Sequence, residues 1–191
     1  MDEDNVALIT RHKLNVDQYY RMAEAGILGR EHRVELIDGE IIDMAPIGQD
    51  HAGTVGGLNE ALVLAFAGRA IVFVQNPVHL DDLNEPQPDF AVLRRRADFY
   101  RTGDRPGPAD ILLLIEVANS SLRFDREVKL LMYARAGVPE VWIVDLQQRV
   151  VDVHRAPRDG AYVEMTTMRV GGVVSPVLAP DVRITYAQVF G

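Results

Sequence analysis

The 191-residue sequence contains no cysteine and only one tryptophan. Without cysteine there can be no disulfide, no thiolate metal site and no cysteine nucleophile. This composition suits a reducing compartment, and we expect the protein in the cytoplasm. The five histidines are scattered and lack the i,i+4 pairing typical of a zinc site on a helix. A metal, if one is bound, is therefore expected to have oxygen ligands.

Long apolar runs are also missing, and none approaches the roughly 18 to 20 residues of a membrane span. The first residues, MDEDNVALITRHK, lack the apolar core of a secretory signal. We therefore expect no membrane association. Positive charge is scarce, because 20 Lys and Arg against 28 Asp and Glu give a net charge of −8. This balance argues against non-specific binding to a polyanion.

The remaining composition, with 48% hydrophobic and 25% charged residues, is typical of a globular domain. We predict a flexible N-terminal arm over residues 1–14 and a single domain over residues 15–191. Capping, glycine and hydrophobic patterns predict α/β (α+β) architecture, with a mixed sheet and flanking helices. Three helices are predicted, over residues 15–25, from residue 51 or 54 to 66, and over 125–136. A hairpin is predicted over residues 34–44. Strands are predicted over residues 71–80, 89–93, 111–117, 140–145, 149–155 and 161–168.

Glu116 is unusual because it lies in an otherwise apolar run, ILLLIEV. Leu112 and Leu114 precede it on the same face of the predicted strand. A buried carboxylate costs several kcal/mol unless it is paired, protonated or bound to a cation. The alternative is that the strand has already reached solvent at Glu116.

Asp89 and Lys129 are two further candidates. Asp89 follows Pro88 and opens the short strand FAVL, although a turn aspartate would give the same pattern. Lys129 lies one helical turn after Asp125 and borders the apolar face, so it would point towards the sheet. The alternative is an exposed i,i+4 ion pair.

Glu35 and His51 carry weaker signals. Alternation in the first strand of the hairpin would place Glu35 inward with Ile37, but the local pattern favours a solvated edge-strand carboxylate. His51 heads an apolar helix face, where a histidine is commonly a core or capping residue.

Two acids at the ends of neighbouring strands and a lysine on the next helix form a known chemical set. Two carboxylates can hold Mg²⁺ or Mn²⁺, which favour oxygen ligands. Such a metal lowers the pKa of a bound water and stabilises charge on a phosphate oxygen. A nearby lysine can position the attacking water or neutralise the transition state. The set is typical of phosphodiester hydrolysis.

Four segments between residues 20 and 145 resemble the Uma-two family of restriction-endonuclease-like proteins, within the PD-(D/E)XK nuclease superfamily. The resemblance implies an αβββαβ core with an added N-terminal hairpin and C-terminal strands. The segments are YRMAEAG, VELIDGEIIDMAPIGQDH, QPDFAVL and LLLIEVANSSLRFDREVKLLMYARAGVPEVWIVD.

Residue by residue, the resemblance makes Asp89 the first acid and Glu116 the second. The superfamily normally has lysine two positions after the second acid, where this chain has Ala118. The family pattern places that lysine on the following helix, at Lys129. The backbone carbonyl of Val117 would be the third protein ligand of Mg²⁺ or Mn²⁺. Glu35 is counted with the catalytic residues, and the site-lining residues are His51, Asp125 and Tyr133.

The leading functional hypothesis is a metal-dependent DNA endonuclease. An arginine-rich loop directly after the Asp89 strand could contact phosphates, although a solvated surface loop fits the same sequence. Because of the net charge, DNA binding should be weak or selective. A homodimer is expected, since cutting both strands needs two sites or two sequential cuts. The arginines of the loop are Arg94, Arg95, Arg96, Arg101 and Arg105.

Two other classes of function remain open at the level of sequence. One is a non-catalytic or regulatory dimeric protein that keeps the fold, since fold does not fix function. The other is a hydrolase of a small phosphate ester.

Overall fold

The computed structural model describes residues 10–29 and 31–191. Most of the predicted flexible arm, residues 1–9, lies outside this range. The described end of the arm packs on the hairpin turn. Lys13 Nζ lies 2.8 Å from an Asp38 carboxylate oxygen, and the Leu14 N–H donates to the Gly39 carbonyl at 2.9 Å.

The first helix, α1 (Val16–Glu24), begins as predicted at a capping box. Asn15 Oδ1 accepts from the Gln18 N–H at 2.8 Å, and Gln18 Oε1 accepts from the Asn15 N–H at 2.9 Å. These bonds satisfy two backbone donors that the first turn of a helix leaves free.

The predicted hairpin is also present, as β1 (Val34–Ile37) and β2 (Glu40–Asp43). Asp38 and Gly39 have φ of 48° and 68°, and these left-handed conformations suit the Asp-Gly turn between twisted strands. An isolated bridge from Leu36 to Glu85 joins the hairpin to the loop before β4.

The central sheet has six strands in the order β3-β4-β5-β6-β7-β8. Only the β5–β6 pair is parallel; the other four pairs are antiparallel. With its flanking helices this gives the predicted αβββαβ core. The elements are α2 (Gln49–Phe66), β3 (Ala70–Val74), β4 (Phe90–Arg94), β5 (Ile111–Ala118), α3 (residues 122–135), β6 (Glu140–Asp145), β7 (Val150–Arg158) and β8 (Ala161–Met168).

Both faces of the sheet are covered, which explains the apolar β5. Leu113, Ile115 and Val117 pack under α2, where Leu58 and Leu62 are fully buried. The opposite face, with Leu114 and Ile143, packs against residues of α3. A strand covered on both faces reads as a continuous apolar run. Glu116 lies on the α3 face and is 4% exposed, so the alternative of a solvated strand end is wrong.

Helix α3 contains a π-helical turn. Its α-helical parts, Leu122–Phe124 and Leu130–Arg135, flank the π turn Asp125–Lys129. Such turns are rare and occur frequently at functional sites. Both ends of this one, Asp125 and Lys129, are buried. An exposed Asp125–Lys129 pair, the alternative from sequence, is therefore wrong.

Several predicted boundaries differ from the structure. Strand β3 ends at Val74 rather than at residue 80, because Gln75 has a φ of +51° and Pro77 has no N–H to donate. The second helix begins two or five residues before its alternative predicted starts, 51 and 54, and the third begins three residues before residue 125. The tail, predicted as weakly strand-like, has short strands β9 (Val173–Val174) and β10 (Ile184–Thr185), but it ends in a helix, α4 (Tyr186–Phe190). Within residues 10–29 and 31–191, no helix is long and apolar enough to cross a membrane.

Candidate active site

A cavity of about 450 Å³ opens where β5 ends and α3 begins. The hairpin, the first turn of α2 and the loops before β4 and α3 form its walls. Clefts of this size are typical of small-molecule and catalytic sites. The cavity is lined by seven of the residues selected from sequence: Glu35, His51, Asp89, Glu116, Val117, Asp125 and Lys129.

Glu116 and Lys129 are the chemical centre of this cavity. Glu116 Oε1 accepts hydrogen bonds from Lys129 Nζ at 3.2 Å and from the Tyr133 hydroxyl at 2.6 Å. Burial raises the pKa of Glu116 to about 8; Lys129 opposes this shift, and the charges of Asp125, Asp89 and Glu35 add to it. Tyr133 is fully buried behind Glu116, where it supports the carboxylate instead of lining the cavity.

Lys129 also pairs with Glu35. Its Nζ lies 2.9 Å from Glu35 Oε2, so one ammonium is shared by two buried carboxylates. Burial alone would lower the pKa of Lys129, but the charges of Glu116 and Glu35 outweigh it and raise the pKa. Lys129 is therefore a protonated cation at neutral pH. Glu35 is 4% exposed, which contradicts the edge-strand alternative.

Asp89 is held by three donors. Its Oδ1 faces His51 Nε2 and Gln75 Nε2, each at 3.0 Å, and its Oδ2 accepts from the Val117 N–H at 2.8 Å. Burial alone would raise the pKa of Asp89, but the hydrogen bonds from His51 and Gln75 outweigh it and lower the pKa. The same bond to Asp89 raises the pKa of His51, and a backbone hydrogen bond to Val117 adds to it.

Asp125 completes the acidic lining. Its Oδ2 accepts from the Ser121 hydroxyl at 2.7 Å, and the group is 3% exposed. Burial raises the pKa of Asp125, while Lys129 and Ser121 oppose the shift. The cavity therefore gathers four buried carboxylates against three basic side chains, those of Lys129, His51 and the exposed Arg33.

The donor chemistry of the cavity fits a hard divalent cation. Mg²⁺ and Mn²⁺ prefer carboxylate and carbonyl oxygens, and the local excess of acids is the charge that such a cation would offset. Residues 10–29 and 31–191 contain no cluster of three or more His, Cys, Asp or Glu side chains arranged around one metal position. The set named from sequence is smaller, two carboxylates and the Val117 carbonyl. His51 now contacts Asp89, so a cation there would require His51 to move.

The arginine-rich loop does not reach the cavity. Asp89 directly precedes β4 and Arg94 is its last residue, so the loop begins about 16 Å away along five residues of strand. Arg96 forms two hydrogen bonds with Asp98, at 2.7 and 3.0 Å. Arg105 lies 3.6 Å from the buried Glu85 carboxylate. None of the loop arginines lines the cavity. Whether the loop contacts DNA stays a prediction.

Sequence reasoning missed several polar residues that line the cavity, and four of them matter most here. Gln75 ends the β-rich run IVFVQ, and Gln87 precedes the Pro-Asp pair, so both adjoin elements that were recognised. Ser121 follows β5 and donates to Asp125. Arg33 is the other basic side chain that, with Lys129, lines the described cavity. The available signal was the position of each at the end of a predicted strand or beside a recognised acid.

Comparison with known families agrees with this geometry. The model of the Uma2 family, described as "Putative restriction endonuclease", matches residues 16–187. The chain belongs to the Uma2 family. No curated protein matches the chain. Family membership supports a nuclease-like function and makes an enzyme the expected class.

The fold is shared with a solved structure from Anabaena variabilis ATCC 29413, described as a putative nuclease belonging to DUF820. The two superpose with a TM-score of 0.70 at 17% sequence identity, over 93% of this chain and 97% of the other. The likeness confirms the nuclease-like fold, a central mixed sheet with flanking helices.

Proposed function

We propose that the protein is a metal-dependent endonuclease that hydrolyses DNA phosphodiester bonds. One observation carries the proposal: Lys129 lies within 2.9 and 3.2 Å of two buried glutamates, at the edge of a cavity that also holds Asp89. Folding alone does not require a buried lysine that two acids share beside an open cleft, so we interpret this arrangement as a functional site. Family membership is consistent with this chemistry.

The chain would divide the reaction between its residues. Asp89, Glu116 and the Val117 carbonyl would hold Mg²⁺ or Mn²⁺, which would lower the pKa of a bound water and offset charge on the phosphate. Lys129, kept protonated by its two acids, would neutralise negative charge that develops on the phosphate oxygens. Glu35 would hold the ammonium in place, and Asp125 would orient waters.

Arg33 supports binding of the phosphate group at the same place. Its side chain lines the cavity, and its NH1 donates to the Ala45 carbonyl at 3.3 Å. A guanidinium at a cavity mouth can form paired hydrogen bonds with phosphate oxygens. We therefore extend the set of proposed substrate contacts from Lys129 to Arg33.

The proposal includes weak or selective DNA binding by a cytoplasmic homodimer. The net charge of −8 opposes general attraction to a duplex, whose phosphates must be contacted by several cations. A twofold dimer would bring two cavities to the two strands of one duplex.

A metal titration tests the proposal. Mg²⁺ or Mn²⁺ is added to wild type and to Asp89→Ala, and both are assayed on plasmid, linear and single-stranded DNA. Cleavage that requires metal and is lost in Asp89→Ala supports the endonuclease. Absence of metal binding near neutral pH overturns the catalytic proposal.

A hydrolase of small phosphate esters is the second candidate. One observation favours it: among the described residues lining the cavity, Arg33 and Lys129 are the only arginine and lysine. Two such groups suffice for one phosphate but not for a long backbone. Metal-dependent hydrolysis of a nitrophenyl phosphate ester, without cleavage of any of the three DNA substrates, would select this candidate over the endonuclease.

A further inference from the structure

Two glutamines link Asp89 to Glu35 across the wall of the cavity. Gln75 Nε2 donates to Asp89 Oδ1 at 3.0 Å. The Gln87 side-chain amide donates to the Gln75 carbonyl, and the Gln87 N–H donates to Glu35 Oε2 at 3.1 Å. These hydrogen bonds join the two ends of the connection between β3 and β4, residues 75–89, to each other and to Glu35 of the hairpin.

The backbone at Gln75 is adapted to this contact. Its φ of +51° is left-handed, a conformation that a residue other than glycine rarely adopts. The backbone N–H of Gln75 donates to the Asp89 carbonyl at 3.0 Å, in addition to the side-chain bond. Gln75 therefore grips Asp89 at both its main chain and its carboxylate. Unfavourable backbone conformations of this kind cluster at functional sites.

The chemistry of the donor matters as well as its position. Asp89 is only 8% exposed, so its carboxylate must be hydrogen-bonded to stay ionised. A lysine or arginine would satisfy the carboxylate but also neutralise it. The Gln75 amide and the Val117 N–H are neutral donors, so they fix the carboxylate without neutralising it. The third partner, His51, would have to move before a cation could bind.

We propose that Gln75 is the positioning residue of Asp89, and that Gln87 couples this contact to Glu35. The inference rests on the proposed function, in which Asp89 is a metal ligand. Gln75 acts through Asp89 and needs no contact with the substrate. Its role is to keep one carboxylate rotamer ready, so that binding does not have to order the side chain.

Mn²⁺ binding to the metal-free protein, measured by titration calorimetry, tests the inference without an activity assay. Gln75→Ala removes the amide, and Gln75→Gly also relieves the left-handed backbone. Both should weaken Mn²⁺ binding by about 10- to 100-fold, the range seen for residues that orient metal ligands. Gln87→Ala should weaken it less, because it acts through Gln75. Asn76→Ala is the matched control, since its side chain donates to the Val74 carbonyl and not to Asp89.

Thermal unfolding of the metal-free variants separates positioning from loss of structure. Gln75→Gly should melt at or above Gln75→Ala and still bind Mn²⁺ weakly. Wild-type affinity in both Gln75 variants, with binding lost in Asp89→Ala, would overturn the inference alone. Wild-type affinity in Asp89→Ala itself would overturn the proposed function. If either Gln75 variant fails to fold, the other and Gln87→Ala decide, and unchanged affinity in a folded one overturns the inference.

Discussion

Glu116 and Glu140 are both buried glutamates on neighbouring strands, but their surroundings differ. Glu140, at the start of β6, is fully buried and matched by a cation. Its Oε1 accepts from Trp142 Nε1 at 2.7 Å and from two Arg155 nitrogens at 2.8 and 2.9 Å; its Oε2 accepts from the Val177 N–H. One carboxylate meets one guanidinium, and the contact holds the C-terminal segment to the sheet.

Glu116 has no cation of its own. It shares Lys129 with Glu35, and the nearby charges of Asp125 and Asp89 raise its pKa further above the ordinary value. It also lines a cavity. A buried acid is therefore not by itself a sign of function. The feature that indicates function is an excess of buried acids around a cavity. Selection for stability alone would favour a cationic partner for each acid or its replacement by a neutral residue.

The same substitution at the two positions tests this difference, and the larger effect is expected at Glu116. With a pKa of about 8, Glu116 is largely protonated at neutral pH in the metal-free protein, so Glu116→Gln should fold normally. Its amide oxygen can still accept from Lys129 and Tyr133. Cleavage should fall by about 1000-fold or more, because a neutral amide is a poor ligand for Mg²⁺. The measurements are kcat on DNA and urea unfolding. Wild-type cleavage by the variant would show that Glu116 is not part of the catalytic site.

At Glu140 the opposite result is expected. Glu140→Gln presents an NH₂ group to partners that are all donors, and it leaves Arg155 without a counter-charge. The free energy of unfolding should fall by about 3 kcal/mol, the usual cost of breaking a buried pair from one side. Mn²⁺ affinity should stay at the wild-type value. Arg155→Met in the Glu140→Gln background is the control, since removing the stranded charge should recover part of the loss. An unchanged urea midpoint for Glu140→Gln would contradict a stabilising role for the Glu140–Arg155 pair.

Local signals in the sequence predicted most of the fold. Asn15 and Gln18 gave the first helix, Asp38-Gly39 gave the hairpin, and the apolar ILLLIEV gave the central strand, because each depends on neighbours in sequence. The last helix was missed, although Thr185 and Gln188 form a capping box there, because five residues are too few to show a periodicity. The early end of β3 depends on a single left-handed residue, Gln75, which no composition rule marks.

The sequence predicted only those site residues whose positions follow from the end of a strand or the face of a helix. Sequence placed Glu116 and Lys129 in the right elements and Asp89 one residue from its strand, and the resemblance grouped them in one site. It could not show that Gln75 and Gln87 link Asp89 to Glu35, because those contacts join residues that are more than ten positions apart in sequence. The arginine loop shows the converse error: closeness to Asp89 in sequence suggested closeness in space, but a strand separates the two.

The stability of the metal-free protein as a function of pH tests the raised pKa of Glu116. The folded pKa of Glu116, about 8, lies above its ordinary value of 4.5, so the folded state binds more protons than the unfolded state between these values. This contribution to stability is fully present below about pH 4.5 and is lost as the pH rises through 8. Relative to Glu116→Gln, wild type should lose on the order of 3 kcal/mol between pH 5 and 8. Parallel stability curves for the two proteins would show that Glu116 is ionised throughout.

The smallest effect is expected for substitution of arginines that have no buried acid as an ion-pair partner. Arg155 has Glu140, whereas in the described part of the chain neither Arg95 nor Arg101 lies within 4.0 Å of an acidic oxygen. If these two contact DNA phosphates, Arg95→Ala with Arg101→Ala should weaken binding by about threefold to tenfold and reduce the salt slope by about two. The value of kcat should not change, because the loop lies beyond the far end of β4. Arg123→Ala, at an exposed position of α3 where Arg123 pairs with Glu127, is the control for loss of a surface charge outside the loop. A salt slope equal to wild type would show that the loop arginines are only solvated surface charge, and that any phosphate contacts come from the cavity side, where Arg33 and Lys129 lie.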